Sequence, residues 1–189
     1  MWFQIWAIPQ QNWCDRAHLG RRVVFGVVDD TEQDRLFSAV LIEGTDEAVD
    51  AWIASGPEAV SRLCMELTGE HAVQVPNVVH PRDVVDNLQW ASRVVASAYP
   101  DEFLATFTPS EWDTNSFVCS GLGGIRRPDA TKRLMRLLGH EDKWIRISAA
   151  VALRGHRHRG LRTVLLAAMD DPEDLVRYHV KERLQELDG

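Results

Sequence analysis

From Thr45 to the C-terminus, apolar residues recur three and four positions apart, the period of helices that bury one face. Val49, Trp52 and Ile53 share a face of a helix capped by Thr45, with Asp46 and Glu47 in its first turn. Val60, Leu63, Cys64 and Leu67 repeat the spacing after Ser55-Gly56-Pro57-Glu58, and Gly69 marks a stop. Pro81 opens a longer helix with the stripe Val84, Leu88, Ala91, Val95 and Ala98, ended by Pro100. Phe103, Leu104 and Phe107 predict a short helix. Thr108-Pro109-Ser110-Glu111 has the form of a capping box and predicts a helix reaching about Ser120.

Ahead of Thr45 the pattern shortens. Trp2 to Ile8 and Arg22 to Val28 are rich in β-branched and aromatic residues, bounded by Pro9 and by Asp29-Asp30, and predict strands. Leu36 to Ile42 fits either a third strand or a helix starting after Asp30, and Gln74 to Val79 a connector. The expected fold is mainly α. A small α+β region occupies residues 1–99, and helical repeats occupy 100–189, with clear copies at 129–156 and 159–187.

Those copies carry the strongest signal in the chain. Asp129 caps a helix with Leu134, Leu137 and Leu138, stopped by Gly139; its partner carries Trp144, Ile145, Ala149, Ala152 and Leu153, stopped by Gly155. The second unit starts near Gly160 with Leu161, Val164, Leu165 and Ala168. In it Asp171 caps a last helix, Pro172 takes the first position, and Val176, Val180, Leu184 and Leu187 form the stripe. Glu141-Asp142-Lys143-Trp144-Ile145-Arg146 thus returns as Pro172-Glu173-Asp174-Leu175-Val176-Arg177, and two helices per roughly 30–45 residues define an α-solenoid.

Asp142 to Leu153 resembles the Asp-x-x-Val-Arg-x-x-Ala-Ala-x-Ala-Leu pattern of the HEAT-like repeat family, including its short bacterial form related to bilin-lyase repeats. The second copy keeps Val176-Arg177 and Leu184 but has Val180-Lys181 for the Ala-Ala pair, as a terminal repeat would. The resemblance implies a solenoid, and a family of scaffolds, adaptors and some enzyme-associated subunits. It also implies that Arg146 and Arg177 ladder with acids of neighbouring repeats. A degenerate third copy fits residues 100–125.

Composition narrows the class. The chain has 189 residues, 45% apolar and 26% charged, enough to bury a sizeable core. Its seven tryptophans read as core and junction residues. The segment from Met1 to Ile8 lacks a basic flank and a cleavage site and is too short to span a bilayer, so neither secretory signal nor membrane segment is expected. Cys14, Cys64 and Cys119 are odd in number and widely spaced, pointing to reduced thiols in a cytoplasm and to no zinc site.

Charge is divided unevenly. Residues 1–125 hold 7 Lys/Arg against 18 Asp/Glu, and residues 126–189 hold 14 against 10. Either the two halves attract each other or the basic half faces an anionic partner. Arg154-Gly155-His156-Arg157-His158-Arg159 is the densest cationic run, with Arg162 beyond it and Arg126-Arg127 at the border. Guanidinium groups pair bidentately with carboxylates and phosphates, and histidines add charge in mild acid. Arg126, Arg127, Arg154, His156, Arg157, His158, Arg159 and Arg162 are therefore the candidate partner-binding residues. The plain alternative is a solvated turn whose cations favour a helix C-terminus.

Gly121-Leu122-Gly123-Gly124 lacks the third glycine, preceding strand and lysine of phosphate-binding loops, and reads as a flexible linker. No catalytic motif, metal-ligand set or cofactor is expected. The leading functional expectation is a cytoplasmic protein-interaction module, such as a bacterial immunity or regulatory protein. Binding to a nucleic-acid backbone through the basic half is the second. The third is an enzyme or lyase-accessory subunit with a site between the halves, lined by some of Trp2, Trp6, Trp90 and Trp112.

Overall fold

The computed structural model describes residues 2–3, 31–68, 75–76 and 81–188, and they are mainly helical. The helices are α1 (Glu32–Glu43), α2 (Asp46–Ala54), α3 (Glu58–Thr68), α4 (Pro81–Ala98), α5 (Pro100–Thr106), α6 (Pro109–Trp112), α7 (Ser116–Gly124), α8 (Pro128–Leu137), α9 (Lys143–Ala152), α10 (Leu161–Ala168) and α11 (Asp174–Asp188).

The α+β expectation for the N-terminal region is not supported. The strand pairing among the described residues is a two-residue antiparallel ladder, β1 (Trp2–Phe3) with β2 (Val75–Pro76). The rest of both expected strands lies outside the described residues, as does Gly69. Leu36 to Ile42 resolves as helix because Thr31 forms a reciprocal capping box with Asp34. That register turns Phe37, Val40 and Leu41 inward. Phe37 then meets the fully buried Trp52 with ring centroids 4.8 Å apart.

Asparagine moves a second boundary. The helix expected from Thr108 to Ser120 breaks after Trp112, and α7 restarts behind Asn115, whose side chain accepts from the Phe117 and Val118 amides. Asp113 in the break is held by Arg133 (2.6 Å) and Arg136 (2.5 Å) from α8. Asp129 is likewise not the cap of α8. Arg127 stands there, Pro128 takes the first position, and Asp129 lies in the first turn.

The helices stack in two layers. α1, α4, α7, α9 and α11 follow one another side by side as an inner row, while α8 and α10 back α9 and α11. One cluster of buried apolar side chains runs from Phe37 to Val180 through this row.

α7 is the tightest joint in it, and the linker reading of its glycines is overturned. Gly121, Gly123 and Gly124 are helical, and each faces a neighbour where a Cβ does not fit. A Cβ on Gly124 would strike the carbonyl oxygen of Arg93 in α4, and one on Gly121 the Phe103 ring. At Gly123 a Cβ would be 3.1 Å from the Ala152 carbonyl oxygen in α9. Glycine costs helix propensity here, and closer packing of three helices offsets it.

Candidate interaction surface

The repeat unit fixes the geometry of the surface. Arg146 and Arg177 occupy matching positions, and each turns back to the carbonyl six residues earlier. Arg146 Nη1 donates to the carbonyl oxygens of His140 and Glu141 at 2.9 Å, and Arg177 Nη1 to that of Asp171. Arg146 also grips Asp171 of the next repeat with Nε and Nη2 (2.7 and 3.1 Å). The laddering expected from the family pattern is present at Arg146; Arg177 instead pairs within its own repeat, with Asp174.

With those arginines turned inward, other positions face outward. Trp144 and Leu175 are matching residues in α9 and α11, and both are half exposed. Val151 continues the α9 face and Tyr178 the α11 face, at 45% and 56% exposure. Phe117 holds the equivalent place after the cap of α7 and is partly buried. Lys143 lies over the Trp144 ring at 5.4 Å and reaches Glu173 at 3.4 Å. Every large apolar side chain exposed among the described residues lies between Trp144 and Tyr178; Leu166, on α10, is the fifth.

The basic residues expected to bind a partner separate into three groups. Arg127 is paired with Asp101 and Asp129, and Arg162 with Asp188. The Arg127–Asp101 pair and the Asp113 pairs show that part of the charge asymmetry is internal complementarity between the α5–α6 region and α8. Arg154 pairs with Glu186 at 3.0 Å, and its carbonyl oxygen accepts from Arg126. Arg157 and Arg159 are exposed, with no hydrogen bond or ion pair among the described residues. His158 is partly buried, its Nδ1 accepting from the Gly160 amide.

His156 departs from expectation, because it is 1% exposed. Its Nδ1 lies 2.8 Å from the Thr131 hydroxyl and its Nε2 3.3 Å from the Gly123 carbonyl oxygen. With its proton on Nε2 the neutral ring donates to Gly123, and the Thr131 hydroxyl, also 2.9 Å from the Arg127 carbonyl oxygen, has one proton to give to either that oxygen or Nδ1. Burial, then the charges of Arg126, Arg183 and Arg93, push its pKa down to about 4. His156 is a joint between α7, α8 and the α9–α10 turn, not a surface cation.

Sequence reading passed over Arg93 and Arg183. Arg93 sits in α4, far from the repeats in sequence, yet its backbone lies against Gly124. Arg183 is 2% exposed and donates to the carbonyl oxygens of Leu153 and His156 and to Glu186. Its place in the repeat, thirty-one residues after Ala152, was the available signal.

Cys119 is buried in α7, which pushes its thiol up to about 12, away from nucleophile chemistry. No group of three or more metal-ligating side chains occurs among the described residues. Trp112 packs edge-on against Phe107 at 4.9 Å.

A model of the family described as HEAT repeats matches residues 101–185. The C-terminal part of the chain is similar to HEAT repeats, and the match takes in α5 to α7 ahead of the two clear copies. No curated protein and no solved structure matches the chain. No helix among the described residues is long and apolar enough to cross a membrane.

Proposed function

We propose that this chain is a protein-interaction module whose binding surface is the outward face of α9 and α11. The observation that carries the reading is the confinement of exposed large apolar side chains to residues 144–178, with Trp144 and Leu175 in register across the two repeats. Half-exposed aromatic and aliphatic residues side by side are the composition of a buried interface core. HEAT repeats commonly serve protein interaction, which agrees with this use. Arg154 lines the groove between α9 and α11, with Arg126 on its carbonyl oxygen, and the two supply a charged rim. A regulatory or neutralising role in a bacterial cytoplasm is the setting that a small acidic chain with scattered cysteines fits.

The test places a photoreactive phenylalanine analogue at position 178, or at position 132 on α8, in the native cell. A discrete adduct from 178, absent from 132 and lost with Leu175→Glu, supports the reading. Equal labelling from both positions, or none from either, sinks it.

A further inference from the structure

We propose that the ends of α4, α7 and α9 form a docking strip for an acidic polypeptide segment, carried by Arg93, Arg126, Arg154 and Arg157. The strip is completed by the groove between α9 and α11. This inference rests on the interaction reading above and names the chemistry of the partner.

The placement comes from the packing. Arg93 is brought beside the end of α7 because Gly124 has no side chain to keep the two helices apart. Arg126 follows α7 directly and crosses to the end of α9, where it donates to the Arg154 carbonyl oxygen. Gly155 permits this crossing. Its φ of 75° favours glycine, and a Cβ there would stand 3.0 Å from the Arg126 guanidinium. Arg183 then comes in from α11 beneath the same turn.

The local charges do not cancel. Arg154 and Arg183 share the single carboxylate of Glu186, at 3.0 and 2.8 Å. Arg93 and Arg157 are exposed and have no hydrogen bond or ion pair among the described residues. Burial and the charges of Arg93 and Arg183 lower the Arg126 pKa; burial, with Arg157 beyond it, does the same to Arg183. Crowded like charges of this kind are relieved by an anion.

The shape selects a peptide. Four inner helices at about 8–10 Å spacing give a strip of about 25–30 Å, the length of about seven to nine extended residues. Beside Arg154 the groove has Ala150 and Val151 on one wall and His179 and Glu182 on the other, with a volume of about 100 Å³. That suits one aliphatic side chain set among carboxylates. A nucleic-acid backbone fits less well, because an unbroken run of phosphates would meet Glu182 and Glu186 in the groove, where a peptide can place an aliphatic side chain instead of a carboxylate.

The test titrates the full chain into a fluorescein-labelled peptide of Glu-Glu-Leu repeats, about twelve residues long, and reads anisotropy. The Gln-Gln-Leu peptide and a short DNA duplex serve as controls. The Glu peptide is expected to bind at low ionic strength and to weaken by about tenfold as salt rises to physiological strength and above. Arg93→Glu with Arg157→Glu is expected to weaken it by about tenfold, with a melting temperature that does not fall, since neither side chain has a partner to lose and the reversal relieves the like charges beside Arg126 and Arg183. Arg35→Glu, a reversal on exposed α1, is expected to leave it unchanged. Equal binding of the Gln peptide, no binding at low salt, indifference to the double reversal, or displacement by DNA at lower concentration would each overturn the proposal. If the peptide fails while position 178 still yields its adduct, only this inference falls.

Discussion

Arg146 and Asp171 join the two repeats by a two-pronged ion pair, with Nε and Nη2 at 2.7 and 3.1 Å from the two carboxylate oxygens. Both side chains are nearly buried, at 11% and 7% exposure. Burial alone would raise the Asp171 pKa, but Arg146 and the Glu173 amide, with Arg177, hold it below its ordinary value. Removing one partner strands the other in a site that is largely shielded from water.

Asp171→Ala is therefore expected to destabilise the fold by about 2–4 kcal/mol, and Arg146→Ala by a similar amount. The double variant should cost clearly less than the sum. Urea unfolding of the four proteins checks this; additive losses would mean that the pair does not couple the repeats.

Gly124→Ala tests the close approach of α4 and α7. At an open helical site alanine would stabilise by about 1 kcal/mol. Here its Cβ meets the Arg93 carbonyl oxygen, so a loss of about 1–3 kcal/mol is expected. Gly139→Ala is the control, since a Cβ there has 3.6 Å to its nearest neighbour. Thermal denaturation that ranks the two variants the other way would refute the packing account.

His156 predicts an acid-sensitive stability. Its folded pKa of about 4 lies below the unfolded value near 6.5, so the unfolded chain binds the extra proton between them. The contribution is complete above about pH 6.5 and is lost as pH falls toward 4, a change on the order of 2–3 kcal/mol. Urea midpoints measured from pH 7 to 4 should show this slope, and His156→Gln should flatten it. An equal slope in the variant would assign the acid sensitivity elsewhere.

Cys119 should resist thiol reagents. In a Cys14→Ser, Cys64→Ser background, labelling is expected only at the rate of opening, because the thiol is buried and held protonated. Prompt labelling in native buffer would contradict the depth assigned to α7.

The helix stripes are legible in the sequence because each is decided by neighbours three and four residues away. Val84, Leu88, Ala91 and Val95 are all buried as their spacing requires; Ala98, at the frayed end, is exposed. Legibility fails where a distant residue decides. Nothing near Gly121-Leu122-Gly123-Gly124 says that Arg93, Phe103 and Ala152 stand against them, so a glycine-rich helix looks like a linker. Local charge counting fails at His156 for the same reason. Thr131 and Gly123 withdraw it from a run whose arginines stay outside. Arg93 joins the candidate strip only through the α4–α7 contact, which no local pattern announces.

Arg126, Arg133, Arg146, Arg177 and Arg183 each donate to main-chain carbonyl oxygens at the turns between helices. Guanidinium stays charged at any pH a folded protein meets. The seam at His156 turns instead on an imidazole. Between about pH 6.5 and 4, protonation therefore loosens the seam where α7 and α8 meet the α9–α10 turn, while the Arg146–Asp171 joint keeps its charge. The stack would open like a book with a single worn hinge rather than fray along its whole length.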